Sequence, residues 1–134
     1  RENIRIVGDR FVFQSEVLFP VGGSELDDAG RAEMDKLAAA LLDLAKEIPA
    51  EINWVLRVDG HTDNSPLSGI GRYRDNWELS SARATSVVKY LISRGVPANR
   101  LVAAGFGEFQ PIAPGDTPEA KSQNRRIELK LTER

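Results

Sequence analysis

A chain of 134 residues is long enough to bury an ordinary hydrophobic core, and we expect one domain over residues 1–134, with residues 1–20 as N-terminal strands and residues 21–134 as its core. The formal net charge of -2 with 28% charged residues disfavours a general nucleic-acid binder, which would carry a strong basic excess. The absence of cysteine excludes disulfides and thiol chemistry, and no apolar run approaches the roughly 20 residues of a membrane span.

The chain opens with two predicted strands. Residues 3–7 and 10–14 are rich in β-forming side chains, and Gly8 and Asp9 between them suit a tight hairpin turn. We expect the second strand to continue in extended form through residues 17–19, until Pro20 and two glycines break the pattern.

The first long helix is the clearest element of the sequence. Apolar side chains recur at intervals of three and four over residues 34–48, which predicts that one helix face packs on a sheet. Glu25, Asp27 and Asp28 suit the positive end of the helix dipole, and Pro49 is expected to end the helix.

A central strand follows, and polar residues come directly after it. Alternation over residues 52–59 predicts a strand that ends at Gly60 and has one more apolar face. The next residues, His61-Thr62-Asp63-Asn64, therefore lie at the carboxyl end of this strand, where open α/β sheets generally place their ligands.

A second helix is predicted after a long loop. Ser80 is its expected N-cap, Arg83 follows one turn later, and Gly95 and Pro97 end the helix. A strand over residues 101–104 would complete a β-α-β unit with a parallel strand pair and a right-handed crossover.

The last two elements are a short helix and a strand. Thr117 is the expected N-cap of the helix, with Pro118 at its first position, and residues 127–132 alternate as a strand. Together the elements predict an α/β fold, an α+β sandwich in which helices pack on one face of a mixed parallel/antiparallel sheet.

Two features of the sequence indicate small-ligand chemistry. Basic residues gather in or near predicted loops and helix starts, which suits an anionic ligand group, although a solvated basic surface is the alternative. These residues are Arg72, Arg74, Arg83, Lys121, Arg125 and Arg126. The other feature is His61, the only histidine: with Asp59 and Asp63 it could hold a metal that activates water, or it could simply hydrogen-bond to backbone. On residue types alone, Asp63 and Arg83 could also form a structural ion pair.

Five sequence blocks in one order resemble the OmpA-like peptidoglycan-binding domain family. They are Gly60-His61-Thr62-Asp63, Leu79-Ser80-Ser81-Ala82-Arg83-Ala84, Gly95-Val96, Gly105-Phe106-Gly107-Glu108 and Asn124-Arg125-Arg126-Ile127-Glu128. The resemblance covers nearly the whole chain and implies a β-α-β-α-β-β-like order. The Asn76-Trp77-Glu78-Leu79-Ser80 block further resembles the MotB-like branch of that family.

The resemblance implies a non-catalytic module, with no cofactor and no metal, that binds diaminopimelate in the stem peptide of peptidoglycan. By resemblance, Asp63 takes the ammonium of the free end and Arg83 takes its carboxylate, which a guanidinium fork can bind in bidentate geometry. The resemblance adds supporting contacts from Thr62, Asn64, Asn76, Leu79 and Arg126.

Some positions leave alternatives open. Whether Arg125 or Arg126 faces the site depends on strand register. Pro20 stands where many relatives have an acidic or polar residue, so the alternatives are the loss of a side-chain contact from that loop and contacts through its backbone alone. Ala120-Lys121 replaces the usual Gly-Arg, which keeps the positive charge and changes the turn. Trp77 is expected to anchor the loop, with a glycan contact as the alternative.

The resemblance also implies a location and partners. The expected partner is peptidoglycan, a homodimer is an option, and no nucleic acid is expected. The chain begins at Arg1 with no signal peptide, so we expect a piece of a longer periplasmic protein, tethered to the inner or outer membrane by an upstream segment. A flagellar stator, a lipoprotein or another envelope tether all fit. The alternative function is a metal-dependent peptidoglycan hydrolase that uses His61 and Asp63.

Overall fold

The computed structural model describes the backbone of residues 5–7 and 9–134 and the side chains of residues 9–134. The strands are β1 (Arg5–Val7), β2 (Arg10–Gln14), β3 (Trp54–His61), β4 (Leu101–Gly105) and β5 (Arg126–Glu133). The helices are α1 (Ser15–Leu18), α2 (Asp28–Ala45), α3 (Asn76–Ser93) and α4 (Pro118–Asn124), and a 3-10 turn spans Ala98–Arg100. The strands form one mixed sheet in the order β1-β2-β5-β3-β4.

The predicted N-terminal hairpin is confirmed as far as the chain is described. β1 and β2 pair antiparallel, with Ile6 opposite Phe11, and β2 continues the sheet by pairing with β5. Of the residues predicted for this hairpin, Asn3, Ile4 and Gly8 lie outside the described residues.

The prediction that β2 continues through residues 17–19 is wrong, because the chain turns into α1 instead. The Ser15 N–H donates to the carbonyl of Arg125, and the Phe19 N–H closes the turn onto the Ser15 carbonyl. A helical turn lets Leu18 and Phe19 both be buried on the core side, whereas an extended strand would place them on opposite faces. The same turn leaves Glu16 exposed just after the end of β2.

The first long helix, α2, begins where the acidic cluster predicts it. The Asp27 carboxylate accepts a hydrogen bond from the Gly30 N–H, which is an ordinary N-cap. The buried face includes Met34, Ala38 and Leu41. α2 ends at Ala45, four residues before Pro49, so the apolar pattern extends past the helix.

The start of α3 differs from the prediction by one turn. Asp75, not Ser80, is the N-cap: its carboxylate accepts from the Glu78 N–H, and the Glu78 carboxylate accepts from the Arg74 N–H. This exchange resembles a capping box, with Asp three residues before Glu. Ser80 is fully buried inside the helix, and its hydroxyl accepts from the Gly107 N–H.

The central strand, β3, is buried on both faces rather than one. Leu56 and Val58 face the helices within the main hydrophobic core. Arg57, Asp59 and His61 point to the opposite face, where Asp59 and His61 are buried among charged side chains of neighbouring strands. This second layer of burial is ionic, so a hydrophobic pattern could not predict it.

The parallel strand pair of the predicted β-α-β unit is confirmed. β3 and β4 pair in parallel from Leu56 opposite Leu101 to Gly60 opposite Gly105. The two glycines allow α3 to cross the carboxyl ends of both strands at close range, since a Cβ on Gly60 would lie 2.2 Å from the Ser80 carbonyl oxygen and one on Gly105 would lie 2.0 Å from the Ser81 hydroxyl oxygen. This contact fixes the start of α3 above the end of β3.

The fold class is as predicted, a mixed α/β architecture whose long helices pack on one face of the sheet. α4 follows β4 and precedes β5 along the chain, and Thr117 is its N-cap as predicted. The hydrophobic core joins α1, α2 and α3 to β2, β3 and β5. Among the described helices, none combines the length and apolar character needed to span a membrane.

Candidate functional site

A cavity of about 410 Å³ opens where the end of β3, the first turns of α3 and the α1 region meet. Five of the seven residues predicted for the site lie on its wall, and these are Thr62, Asp63, Asn76, Leu79 and Arg83. The remaining wall consists of Ser15, Glu16, Phe19, Pro20, Val21, Gly22, Ser65, Pro66, Leu67 and Arg125.

Asp63 lies on the cavity because the chain stays close to the sheet after β3 ends. The Thr62 N–H donates to the Gly107 carbonyl at 2.9 Å, which holds the loop beside the end of β4. The Asp63 carboxylate, 8% exposed, accepts from the Ser65 N–H at 2.9 Å and from Arg125 Nη1 at 2.7 Å. Burial alone would raise the pKa of Asp63, but these two donors hold it below its ordinary value, so the group is an anion at neutral pH.

Arg83 forms the opposite, cationic wall of the cavity. It lies on α3 and is 5% exposed, with its guanidinium 5.3 Å from the centre of the Phe19 ring. Its Nε donates to the Gly23 carbonyl at 2.8 Å. Burial lowers the pKa of Arg83, and nearby Glu16 opposes that shift. Among the side chains of residues 9–134, no carboxylate forms an ion pair with this guanidinium.

Arg125 joins the two acidic groups of the cavity. It pairs with Asp63 and with Glu16, and these carboxylates raise its pKa although partial burial would lower it. The cavity thus presents two carboxylates and two guanidiniums, whose formal charges cancel. Such a wall suits a ligand that carries both charges.

Asn76 and Leu79 shape the cavity from the first turn of α3. The Asn76 amide donates to the Ser65 carbonyl at 3.0 Å and, at 3.4 Å, to the Asp63 carbonyl and the Glu108 carboxylate. The amide therefore ties the loop to α3. Leu79 is 6% exposed and gives the cavity an apolar wall.

Asn64, whose backbone is predicted to contact the ligand beside Asp63, is not among the residues that line this cavity. It is exposed, its amide donates to the Asp116 carboxylate at 2.7 Å, and it lines a neighbouring polar cavity of about 210 Å³ instead. The chain turns sharply after Asp63, because the Ser65 N–H bonds back to the Asp63 carboxylate, and this turn directs Asn64 away.

Arg126 is also placed away from the main cavity, and Arg125 is the residue that lines it. Ile127 and Leu129 of β5 face the helices, so Arg126 and Glu128 face the opposite side of the sheet. There Arg126 Nε donates to Glu128 at 2.6 Å. Arg125 precedes the strand and reaches the cavity from the end of α4.

Glu16 and Phe19 are among the cavity-wall residues that are absent from the predicted site. Both were assigned to an extended strand, which hid their position beside Arg83. The loop from Pro20 to Gly22 lines the cavity and contributes no polar side chain to it.

The alternative metal set of Asp59, His61 and Asp63 does not come together among the described residues. Asp59 and His61 lie instead with Glu128, with one donor atom from each within 4.8 Å of the others, and Asp63 is not part of this group. Guanidiniums already neutralise the two carboxylates: Arg57 pairs with Asp59, and Arg10 and Arg126 pair with Glu128. Three cations around two anions disfavour a further divalent cation.

His61 is a buried neutral imidazole within this ionic layer. Its ring stacks on Phe106 at 4.9 Å, and neither ring nitrogen has a hydrogen-bond partner among the described residues. Burial, followed by the charge of Arg126, lowers the pKa of His61 to about 4.

Acid is expected to destabilise the fold through His61. An unfolded imidazole takes up its proton near pH 6.5, whereas the folded one resists until about pH 4, so the free energy of unfolding should fall as the pH drops through this window. The expected loss between about pH 7.5 and about pH 4.5 is on the order of 2 to 3 kcal/mol.

Urea titrations across this pH range measure the effect. His61→Phe, which keeps an aromatic ring beside Phe106, is the comparison, because the carboxylates titrate in both proteins. The difference in stability between wild type and variant should change with pH. A constant difference would show that His61 does not carry the acid sensitivity.

Comparisons with known proteins show which family and fold the chain resembles. The family model described as "OmpA family" matches residues 18–125. A solved MotB-like protein from Desulfovibrio vulgaris superposes with a TM-score of 0.87 and 30% identity, over 99% of this chain and 83% of that one. YtxE of Bacillus subtilis is 37% identical over 119 residues, which are 88% of this chain and 46% of YtxE.

A relative with a named ligand is the peptidoglycan-binding protein ArfA of Mycobacterium tuberculosis. It is 40% identical over 72 residues, which are 54% of this chain and 21% of ArfA. The chain spans about half the length of the curated relatives that it matches over most of its own residues. Because the match over residues 18–125 covers most of the chain and includes both Asp63 and Arg83, the chain belongs to the OmpA family.

Proposed function

We propose that this chain binds peptidoglycan non-covalently, through the free end of diaminopimelate in the stem peptide, and so holds an envelope protein to the cell wall. The observation that carries this proposal is a pair of buried opposite charges on one cavity, Asp63 and an Arg83 that has no ion-pair partner among the described side chains. Membership of the OmpA family and similarity to the peptidoglycan-binding ArfA support the same ligand class.

Arg83 is suited to take a carboxylate. A buried guanidinium without an anion is costly, because desolvation is not offset by an ion pair. Nε already donates to Gly23, which fixes the side chain and leaves the two terminal nitrogens for the ligand. A carboxylate can accept from such a fork in bidentate geometry.

Asp63 is suited to take the ammonium on the same carbon. Its two oxygens accept from Ser65 and Arg125, but a carboxylate has about four acceptor positions, so a third donor can be added. The balanced charges of the cavity then favour a zwitterion over a simple anion or cation. Leu79 and Leu67 supply apolar wall for the methylene chain of diaminopimelate.

The affinity of one such site is expected to be modest. A few charge-assisted hydrogen bonds contribute about 1.5 to 3 kcal/mol each, before the entropy lost on binding is subtracted. Peptidoglycan repeats the ligand many times, so a homodimeric tether would gain avidity. In this proposal the domain works in the periplasm, and its parent is a MotB-like stator or a related tether joined to a membrane by another segment.

The rival function, a metal-dependent peptidoglycan hydrolase, has less support. His61 does not line the cavity that contains Asp63, and its own surroundings are rich in guanidinium. Stoichiometric zinc in the purified protein, together with chelator-sensitive release of muropeptides, would favour the hydrolase over the binding module.

Calorimetry with two stem tetrapeptides tests the proposal. One carries diaminopimelate at its third position and the other carries lysine, so they differ only in the carboxylate beside the side-chain amine. The lysine peptide should bind roughly ten- to over one-hundredfold more weakly, because Arg83 loses its charged partner. A diaminopimelate peptide with that carboxylate amidated should show a similar loss.

Two variants complete this experiment. Asp63→Asn should lose binding of the diaminopimelate peptide, whereas Asp116→Asn, which changes an exposed carboxylate beside Asn64, should keep it. Equal affinities for the diaminopimelate and lysine peptides would mean that the cavity does not recognise the carboxylate, and the proposal would be abandoned.

A further inference from the structure

An exposed pair of aromatic rings lies beside the candidate site. Trp77 at the start of α3 is 52% exposed and Phe109 after β4 is 58% exposed, yet the rings stack with centroids 5.1 Å apart and an interplanar angle of 29°. Scattered exposed apolar residues are ordinary, but a stacked pair keeps two large apolar surfaces in water at one place.

Hydrogen bonds hold this aromatic pair in place. Gly107, with a φ of +64°, lies beneath it, since an added Cβ would be 3.5 Å from both Trp77 and Phe109. The Gly107 N–H donates to the Ser80 hydroxyl at 3.0 Å, and its carbonyl accepts from Thr62 at 2.9 Å. A ligand would therefore bind a preformed surface and would not need to order it.

The aromatic pair is connected directly to the peptide cavity. Asn76 precedes Trp77 and lines the cavity, and Glu108 precedes Phe109. The Asn76 amide and the Glu108 carboxylate contact each other at 3.4 Å. The residue before Trp77 therefore contacts both the Asp63 backbone and the residue before Phe109.

We propose that Trp77 and Phe109 form a sugar subsite that takes an N-acetylhexosamine ring of the glycan strand. This inference rests on the proposed function, in which the cavity takes the stem peptide attached to the same strand. A pyranose has an apolar C–H face that packs on an aromatic ring, and its hydroxyl and N-acetyl N–H groups need an acceptor such as the half-buried Glu108 carboxylate.

The surroundings favour a sugar over a protein partner. A stable protein interface buries about 800 Å² on each side around an apolar centre depleted in charge. Here a carboxylate, that of Glu108, directly precedes one of the rings in the chain, and the stacked surface consists of two aromatic side chains.

Tryptophan fluorescence can test the subsite without the peptide. The chain has two tryptophans, and Trp54 is 5% exposed, so Trp77 should dominate any response to a ligand at the surface. Chitotetraose, a β-1,4-linked N-acetylglucosamine tetramer, should shift or quench the emission in a saturable manner. Maltotetraose, which lacks N-acetyl groups and has α-linkages, should not, and Trp77→Ala should abolish the chitotetraose response.

A second measurement compares the stem tetrapeptide with the same peptide attached to its disaccharide. Wild-type protein should bind the disaccharide form roughly tenfold more tightly, a gain typical of one aromatic stacking contact. Trp77→Ala and Phe109→Ala should each remove most of this gain. Their affinity for the tetrapeptide alone should remain within about twofold of wild type, because neither side chain lines the peptide cavity.

The outcomes separate this inference from the proposed function. If the tetrapeptide binds but the disaccharide adds nothing and chitotetraose has no effect, the sugar subsite is wrong and the peptide site stands. If the tetrapeptide fails to bind while chitotetraose binds through Trp77, the proposed peptide site is wrong and the subsite stands. If Trp77→Ala changes only self-association in analytical ultracentrifugation, the pair is a protein interface and the inference is overturned.

Discussion

Arg83→Lys is expected to lose nearly all binding of the diaminopimelate stem peptide while the protein stays folded. Lysine keeps the positive charge but offers a single ammonium, so it cannot form two parallel hydrogen bonds to a carboxylate. It also loses the Nε hydrogen bond to Gly23 and the contact with the Phe19 ring, so the charge is no longer fixed at the cavity wall. The expected loss is about 1.5 to 3 kcal/mol, or roughly ten- to over one-hundredfold in affinity.

Arg74→Lys is the matched control for this variant. Arg74 lies just before α3 and its side chain is exposed. Its hydrogen bond to the Glu78 carboxylate comes from the backbone N–H, which lysine would keep. Its substitution should leave the affinity unchanged, and circular dichroism should show both variants folded. Should Arg83→Lys bind the peptide as tightly as wild type, a positive charge alone would suffice, and bidentate recognition by Arg83 would be excluded.

Gly60→Ala is expected to cause the largest loss of stability among simple substitutions near the site. A Cβ at this position would lie 2.2 Å from the Ser80 carbonyl oxygen and 2.9 Å from the Ser80 carbonyl carbon. These are backbone atoms within α3, so neither side of the contact can move without shifting the helix against the sheet. Overpacking of this kind should cost about 3 kcal/mol or more in the free energy of unfolding.

Gly71→Ala is the control, because it makes the same chemical change where there is room. No atom lies within 4 Å of a Cβ at Gly71, and its φ is not in the left-handed region. Denaturant titration should place this variant within about 1 kcal/mol of wild type. Equal stability of the two variants would show that the crossing of β3 and α3 tolerates a methyl group.

The same crossing links the fold to the site. β3 leads to Asp63 and α3 carries Arg83, so the contact between Gly60 and Ser80 sets the distance between the two charges. Any Gly60→Ala protein that remains folded should therefore also bind the stem peptide more weakly than wild type.

Local rules predicted most elements because each depends on residues close in sequence. The apolar spacing of α2, the Thr117 cap of α4 and the alternation of β5 all follow from neighbouring side chains. The start of α3 was mispredicted although the signal was present, since Asp75 and Glu78 have capping-box spacing. The turn at residues 15–18 depends instead on a hydrogen bond from Ser15 to Arg125, which is distant in sequence.

By itself, the sequence determined the order of the strands and of the helices other than α1, the parallel β-α-β unit, and the positions of Asp63 after a strand and Arg83 on the next helix. Only the tertiary structure decided that Arg125 and Glu16 join Asp63 at the cavity, and that Arg126 lies with Glu128 on the opposite face of the sheet. The reason is that strand pairing is non-local: a shift of one residue in the register of β5 would exchange the faces of all its side chains. Periodicity within one segment cannot choose between such registers, because the choice depends on the strands and helices on either side.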